Sequence, residues 1–288
     1  LYGVNTYGLT AGDGTVLSNG SLIVDGSGRI NQGGSDFQVV GDHTLLVITN
    51  GGAVTNRFVH VGNGVGSSNN TAMISSSGSR WDAGSNLVVG LMGSDSNVLA
   101  VTNGGMMTVA GGLYVGGGSG GDGSVGNALQ ISGGGWVISE AASLGLAAGD
   151  SGNAVLVSGS ASRWTNTGAL TIGGLANSSN YVAISSGATV STSNLTVFAS
   201  HRIDHSGGTL SVGSGGSTYS AGLVYTVGDG MQTANLVFDA GGTHNFSSGL
   251  VINTNATLSG AATLDGGAIT NRGTLSPGTS GGSAIGTM

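Results

Sequence analysis

The densest group of side chains able to do chemistry is the segment His201-Arg202-Ile203-Asp204-His205. Two histidines four residues apart can share a metal ion on a helix, but on a strand they lie ~13 Å apart, beyond the reach of one ion. We therefore expect a distorted coil with Arg202 and Asp204 facing the solvent. The alternative is a weak binding or catalytic site. It would consist of His201, Arg202, Asp204 and His205, with help from Asp229 or Asp239.

A second candidate is the glycine-rich segment Gly117–Val125, which loosely fits a calcium-binding nonapeptide. Each ion in that motif is held between neighbouring turns, so one copy is not enough to form a site. The eighth position is Ser124, where the motif has an apolar residue. We predict a flexible edge loop here, and we expect neither a metal ion nor a cofactor in the protein.

The composition indicates which elements carry these side chains. Glycine accounts for 60 of the 288 residues. Long helices are excluded because each glycine costs roughly 1 kcal/mol in a helix. The single proline, Pro277, excludes collagen, and a hydrophobic content of 38% with only 7% charged residues excludes disorder. The composition predicts an all-β protein with many tight turns.

The charges restrict the partners. The 6 basic residues are all arginine and are scattered singly, against 13 acids, which gives a formal net charge of −7. Nucleic acid binding needs clustered basic residues, so nucleic acid is not an expected partner.

The sequence has no run of apolar residues as long as a transmembrane helix requires, so we predict no membrane span in this piece. There is no cysteine, and hence no disulfide framework.

A repeat of about 27 residues organises most of the chain. A first apolar column closes a short apolar run in each copy, at Ile48, Ile74, Val101, Ile131, Val157 and Ile184. A second column follows a turn rich in glycine, serine and asparagine, at Val54, Trp81, Met107, Val137, Trp164 and Val190. The third column contains Val61, Val89, Val115, Leu146, Ile172 and Val197, and glycine follows it directly in four of its six copies.

Three apolar runs per repeat, each bounded by turn residues, predict three short strands per repeat. Because no helix is available to cover a sheet, equivalent strands of successive repeats must pair in parallel. We predict a right-handed parallel β-helix, or β-solenoid, with about three short strands per ~27-residue coil. Residues 1–36 are assigned to an N-terminal β segment, cap or first coils, residues 37–230 to the regular repeats, and residues 231–288 to a C-terminal β segment of shorter period.

A polar column accompanies the first apolar column, four residues before it. Its members are Asn70, Asn97, Asn127, Asn153 and Asn180. Residues four apart on a strand share a face, so these side chains should point inward. An isolated buried amide would be costly, whereas stacked amides can donate to one another as a ladder. The alternative is an outward row of asparagines that binds sugar.

An enzyme on this fold would need two carboxylates about 5 Å apart, which equivalent positions on adjacent coils could provide. The columns do not supply such a pair, because Asp82 and Glu140 align with threonine, serine, isoleucine or alanine in the other coils. Trp81 and Trp164 share a column three coils apart, too far to stack on each other. We expect them to fill the core, with a sugar-stacking platform as the alternative.

Several short motifs resemble the type V secretion and PEP-CTERM-associated repeat of bacterial autotransporter-like surface proteins. They include Ser77–Trp81, Ser158–Trp164 and the recurring Leu-x-Val-Gly at Leu87–Gly90 and Leu113–Gly116. The tail Thr270–Gly278 is similar to the segment that closes such passengers. The resemblance covers roughly residues 37–280. After Val197 the asparagine and the Val-Gly pair of the repeat no longer recur.

The resemblance implies a bacterial protein that is secreted or displayed on the outer surface. We expect a non-enzymatic rigid rod that serves as a stalk, an adhesin-like passenger or a fibre subunit. The terminal coils of such a rod could pair with those of further copies and form a homopolymer. The alternative is a carbohydrate-active enzyme or a glycan-binding module on the same scaffold, with surface glycans as its partners.

Overall fold

Parallel strands wound into stacked coils make up the protein, in a computed structural model that describes residues 14–117, 123–174, 179–220, 222–239 and 241–278. Within these ranges the chain is all-β and contains no helix. The predicted β-solenoid fold is therefore confirmed. The right hand of the winding stays a prediction from the crossover rule. None of the described residues forms a helix that is long and apolar enough to cross a membrane.

The strands are short, and most contain three to five residues. The first eleven are β1 (Thr15–Ser18), β2 (Ser21–Asp25), β3 (Arg29–Asn31), β4 (Phe37–Val40), β5 (Leu45–Thr49), β6 (Ala53–Asn56), β7 (Val59–Asn63), β8 (Thr71–Ser75), β9 (Arg80–Ala83), β10 (Leu87–Leu91) and β11 (Val98–Thr102). The next ten are β12 (Met106–Val115), β13 (Ala128–Ile131), β14 (Trp136–Leu144), β15 (Ala154–Ser158), β16 (Arg163–Asn166), β17 (Ala169–Ile172), β18 (Tyr181–Ser185), β19 (Thr189–Thr192), β20 (Asn194–Val197) and β21 (Arg202–His205). The last ten are β22 (Gly208–Val212), β23 (Ser217–Tyr219), β24 (Tyr225–Val227), β25 (Ala234–Phe238), β26 (Thr243–Phe246), β27 (Leu250–Ile252), β28 (Ala256–Gly260), β29 (Thr263–Gly266), β30 (Ile269–Asn271) and β31 (Thr274–Pro277).

These strands form three faces around one core. The first face is an 11-stranded parallel sheet that contains β2, β5, β8, β11, β13, β15, β18, β21, β24, β27 and β30. The remaining strands form the second and third faces, which belong to a single 20-stranded sheet. Two long strands join these faces, because β12 and β14 each continue around the corner from the second face to the third.

The first two predicted columns lie in register along the stack. Ile74 pairs with Val101 on the first face, and Trp81 pairs with Met107 on the second. The same register continues along both columns from Ile48 to Ile184 and from Val54 to Val190. The residues of these columns are buried, because alternate positions of a strand point to the same side of the sheet.

The third predicted column is wrong in one coil. Leu144, not Leu146, pairs with Val115 below and with Ile172 above. The two leucines are two residues apart and so share a strand face, which means that alternation cannot choose between them. Leu144 is followed directly by Gly145, as in every other copy of the column except Val197, which is followed by Phe198. This glycine is the sequence signal that favours Leu144, and the pairing across β14 shows the same position.

Tight turns between the faces require left-handed backbone. Asn50 and Gly51 have φ angles of 49° and 88°, and Asn103 and Gly104 have φ angles of 51° and 78°. Asparagine and glycine tolerate this region best, which explains why Asn-Gly recurs in the turn that begins two residues after the first column. The chain can therefore leave one face sharply and enter the next after two or three residues.

One hydrophobic core runs through the stack from Val24 to Leu258. It includes strands of both the N-terminal segment 1–36 and the C-terminal segment 231–288.

The length of a coil changes along the stack. Equivalent residues of neighbouring coils are 26 to 30 positions apart between Thr44 and Asn180, and only 21 positions separate Asn180 from His201. The coils thus become shorter within the range 37–230, and beyond that point aromatic side chains such as Tyr219, Tyr225 and Phe246 fill the core.

Candidate functional site

The five asparagines of the polar column lie inside the stack as a continuous hydrogen-bonded ladder. Each is fully buried. The carboxamide nitrogen of Asn97 donates to Oδ1 of Asn127 over 2.9 Å, and the backbone nitrogen of Asn97 donates to the same oxygen over 3.0 Å. Asn127 repeats both bonds to Asn153, over 3.1 and 2.9 Å. Asn70 and Asn153 make the same pairs of bonds to the next asparagine along the chain.

Turn carbonyls satisfy the second N–H of each carboxamide. Asn97 donates to the carbonyl of Ser67 over 3.1 Å, and Asn127 donates to that of Ser94 over 3.0 Å. Each interior carboxamide therefore makes four bonds, two as donor and two as acceptor. Full satisfaction is what makes a buried amide stabilising, because an unpaired polar group in a core costs about 1–3 kcal/mol.

The ladder extends one step beyond the predicted residues at each end. The backbone nitrogen of Thr44 donates to Oδ1 of Asn70 over 2.9 Å, which places Thr44 at the first step. At the other end the backbone nitrogen of Asn180 donates to Nδ1 of His201 over 3.1 Å. Nδ1 accepts here, so the proton of the neutral ring is assigned to Nε2.

The sequence suggested that the polar position ends after Val197. The structure shows instead that it continues, with His201 in place of asparagine. His201 lies four residues before His205, and His205 pairs with Ile184 in the first column. The same four-residue spacing relates every asparagine of the ladder to its first-column residue, and this spacing is the signal that could have identified His201. A change of residue type concealed it.

Glycine follows the third column because the ladder leaves no room for a side chain. A Cβ on Gly90 would overlap the carboxamide of Asn127, and a Cβ on Gly173 would overlap the ring of His201. The other glycines that meet a ladder asparagine in this way are Gly62, Gly116 and Gly145. The Val-Gly pair of the repeat and its asparagine are therefore two parts of one arrangement.

The segment from His201 to His205 divides its side chains between two sides of the sheet. Strand β21 pairs with β18 in regular register, but on its other side only His205 pairs with β24, so the coil departs from regular pairing on that side. Arg202 and Asp204 face outward, as predicted, and Nε of the arginine donates to both carboxylate oxygens over 2.9 and 3.0 Å. His201 and His205 are buried in two different columns. The structure therefore does not bring the two histidines together as a pair.

His205 belongs to a buried polar group near the C-terminal end. Its Nδ1 is 3.1 Å from the hydroxyl of Tyr225 and its Nε2 is 3.3 Å from the carbonyl of Gly208. Burial lowers the pKa of His205 from 6.5 to about 4. His244 is buried as well, with Nδ1 3.0 Å from Oγ of Ser217, and burial lowers its pKa to about 4.

A cleft opens between β21 and β24 on the first face. Its volume is about 320 Å³, and it is lined by Arg202, Asp204, His205, Tyr219 and Asp229, among others. The structure thus unites three of the four residues of the alternative site, together with Asp229. His201 and Asp239 are not among the residues that line it. Two backbone nitrogens, of Met231 and Gln232, donate to Asp229 and lower the pKa of this carboxyl group.

The remaining candidates are structural. Trp81 and Trp164 are buried, and their indole nitrogens donate to Oδ1 of Asn56 over 2.6 Å and to Oγ of Ser139 over 3.2 Å. Asp82 forms an ion pair with Arg80.

The glycine-rich segment 117–125 lies partly outside the described residues. Among the residues that the structure describes, no three His, Cys, Asp or Glu residues are placed to share a metal ion.

Replacing Asn127 with alanine should destabilise the fold. The substitution removes four buried hydrogen bonds and leaves neighbouring groups of the ladder unpaired, so we expect the free energy of unfolding to fall by about 2–4 kcal/mol. Asn235→Ala is the matched control, since Asn235 lies on a strand but faces outward, and its effect should stay within about 0.5 kcal/mol. Denaturant unfolding measures both. Equal effects of the two substitutions would contradict a stabilising ladder.

Gly90→Ala should destabilise far more than Gly66→Ala. The two glycines have nearly the same φ angle, 80° and 82°, so the backbone strain of the substitution is similar. A Cβ at Gly66 meets nothing within 4 Å, whereas a Cβ at Gly90 overlaps Asn127. We expect Gly90→Ala to cost at least about 2 kcal/mol more in unfolding free energy. In the double variant Gly90→Ala/Asn127→Ala the two costs should be less than additive, and strict additivity would refute the proposed contact.

Stability should decrease as the pH falls from 6.5 towards 4. Above pH 6.5, His205 and His244 are neutral in both the folded and the unfolded chain. Below it the unfolded chain takes up the protons first, because burial holds the folded pKa values at about 4. Each histidine then contributes a slope of up to about 1.4 kcal/mol per pH unit. Thermal unfolding measured across this pH range gives the dependence of stability on pH. The double variant His205→Gln/His244→Gln should reduce this dependence. The control His43→Asn changes an exposed histidine and should leave the dependence as it is.

No protein-family model, curated protein or solved structure matches the chain. The proposals on function therefore rest on the ladder, the register of the coils and the cleft.

Proposed function

We propose that the protein is a non-enzymatic structural module, a rigid rod that is secreted or displayed on a cell surface. It would serve as a stalk, an adhesin-like passenger or a fibre subunit. The observation that carries the proposal is that coils stack in parallel register around one core, with the pairing on the first face reduced to one residue pair only between β21 and β24. The 11 strands of the first face, at a spacing of about 4.8 Å, correspond to an axial length of roughly 50 Å.

The rigidity of the rod would come from the buried ladder. Each step of the ladder ties two coils together inside the core, where water cannot compete for the hydrogen bonds. The three faces add parallel backbone hydrogen bonds at every coil. A bend or twist between two coils that the ladder joins would have to break bonds of both kinds at once. The resemblance to repeats of autotransporter-like surface proteins supports the same role.

The C-terminal end of the stack supports self-association. In the last described coil, β31 pairs with β28 on one side, and no described strand pairs with its other edge. Leu275 continues the inward column of Leu258, yet it is 38% exposed. A strand edge with an apolar inner row is able to accept the first coil of another copy, and such a contact would be head-to-tail and would not close.

Sedimentation of the purified chain tests this assembly. We expect species that grow with concentration, and Leu275→Glu should reduce the apparent association constant by at least about tenfold, because it places a charge in the apolar row. Ser276→Glu adds the same charge to the outward side of β31 and should have little effect. A monomer at all concentrations would contradict the assembly. Release of reducing ends from polysaccharides by the purified chain would contradict a non-enzymatic role.

A further inference from the structure

The cleft on the first face arises from a break in strand pairing. β21 pairs with β18 through four residues, and β24 pairs with β27 through three. Between β21 and β24, however, only His205 and Val227 are paired. The strands diverge from this point towards Arg202, and the gap between them is the cleft of about 320 Å³. This volume is at the lower end of the range for small-molecule sites.

The floor of the cleft is built of buried aromatic and polar side chains. Tyr219 and His205 line it from the core, and both are almost fully buried. Tyr225 lies behind them, with its ring centroid 4.9 Å from that of Tyr219 and its hydroxyl 3.1 Å from Nδ1 of His205. The floor is therefore fixed by packing and by hydrogen bonds before any ligand arrives.

One wall presents donors and acceptors in a fixed arrangement. The guanidinium group of Arg202 lies 4.5 Å from the ring centroid of Tyr181 and is held by both oxygens of Asp204. Only its Nε makes those bonds, so the terminal nitrogens carry the remaining N–H donors of the group. Asp204 supplies acceptors beside them. Asp229 adds a further carboxylate at the cleft.

The lip of the cleft is apolar. Leu223 and Val224 line it, with 58% and 48% of their surface exposed to solvent. Exposed large aliphatic side chains next to a cluster of charged groups give a surface that is apolar on one side and hydrogen-bonding on the other.

A sugar ring has the matching chemistry. Its vicinal hydroxyl groups donate and accept hydrogen bonds at neighbouring positions, as the Arg202–Asp204 pair does, while its C–H face is apolar and can pack on Leu223 and Val224. The charged residues that line the cleft are Arg202, Asp204 and Asp229, so its formal net charge is negative. A negative charge disfavours the binding of anionic sugars such as uronates and of sulfated or phosphorylated sugars. We propose that this cleft binds a neutral sugar unit of a glycan. The site lies on the side of the stack and does not depend on end-to-end assembly.

Saturation-transfer NMR and calorimetric titration test the site, with a panel of neutral disaccharides and a panel of oligogalacturonates as probes. We expect saturable binding of at least one neutral disaccharide and weaker binding of the uronates. Arg202→Ala/Asp204→Ala should weaken that binding by at least about tenfold, the effect of losing hydrogen bonds to charged groups. Arg80→Ala/Asp82→Ala is the matched control, because it removes the same type of exposed ion pair from β9 and should change the affinity by less than about twofold.

A second variant leaves the charged residues intact. Thr226→Trp fills the cleft from β24 with a bulky side chain and should abolish binding without lowering the unfolding midpoint. The proposal is overturned if no neutral sugar binds saturably, if the uronates bind more tightly, or if the Arg202/Asp204 variant binds as well as the unsubstituted chain. Equal weakening in the Arg80/Asp82 control would also overturn it. The titrations are made at concentrations where the chain is monomeric, so failure of the assembly leaves this result unaffected.

Discussion

Satisfaction of buried amides is the constraint on which the rest of this structure depends. A carboxamide inside a core needs partners for two N–H groups and for its oxygen, and one strand cannot supply them all. In this protein the coil on one side supplies a turn carbonyl and the coil on the other side supplies the next amide oxygen, as for Asn127 between Ser94 and Asn153. A shift of one residue in any coil would leave these groups unpaired. The ladder thus fixes the register of every coil that it crosses.

Two further features follow from this constraint. From Asn97 to His201, the side chain of each ladder residue approaches the backbone of a neighbouring coil, and glycine stands where they meet, as Gly90 does beneath Asn127. The length of the coil is free to vary, because the ladder fixes positions and not the path between them. The separation is 30 residues from Asn97 to Asn127 and 26 from Asn127 to Asn153, yet the hydrogen bonds are the same. Loops on the outside absorb the difference.

The change at His201 divides the molecule into two parts with different properties. Up to this residue the coils are long, the core is mainly aliphatic and the ladder is made of asparagine. After it the coils are shorter, aromatic side chains fill the core, and buried histidines replace apolar residues at positions such as His205 and His244. The break in strand pairing lies just at this transition. The regular part contains the ladder, and the irregular part contains the cleft.

The sequence alone determined the period, the first two columns and the inward direction of the asparagines. Strand alternation and the repeat are one-dimensional patterns, and any fold that stacks the repeats must bring equivalent residues together. Alternation could not choose between Leu144 and Leu146, although the glycine that directly follows Leu144 was a signal in its favour. The sequence also concealed His201, because the polar column was defined as a column of asparagines. In the structure His201 accepts the same hydrogen bond from the preceding ladder residue although its residue type differs. The cleft was decided only by the tertiary structure, because it depends on how two neighbouring coils diverge. Beside the cleft Tyr219 and Tyr225 pack with their ring centroids 4.9 Å apart, a contact that no spacing in the sequence specifies.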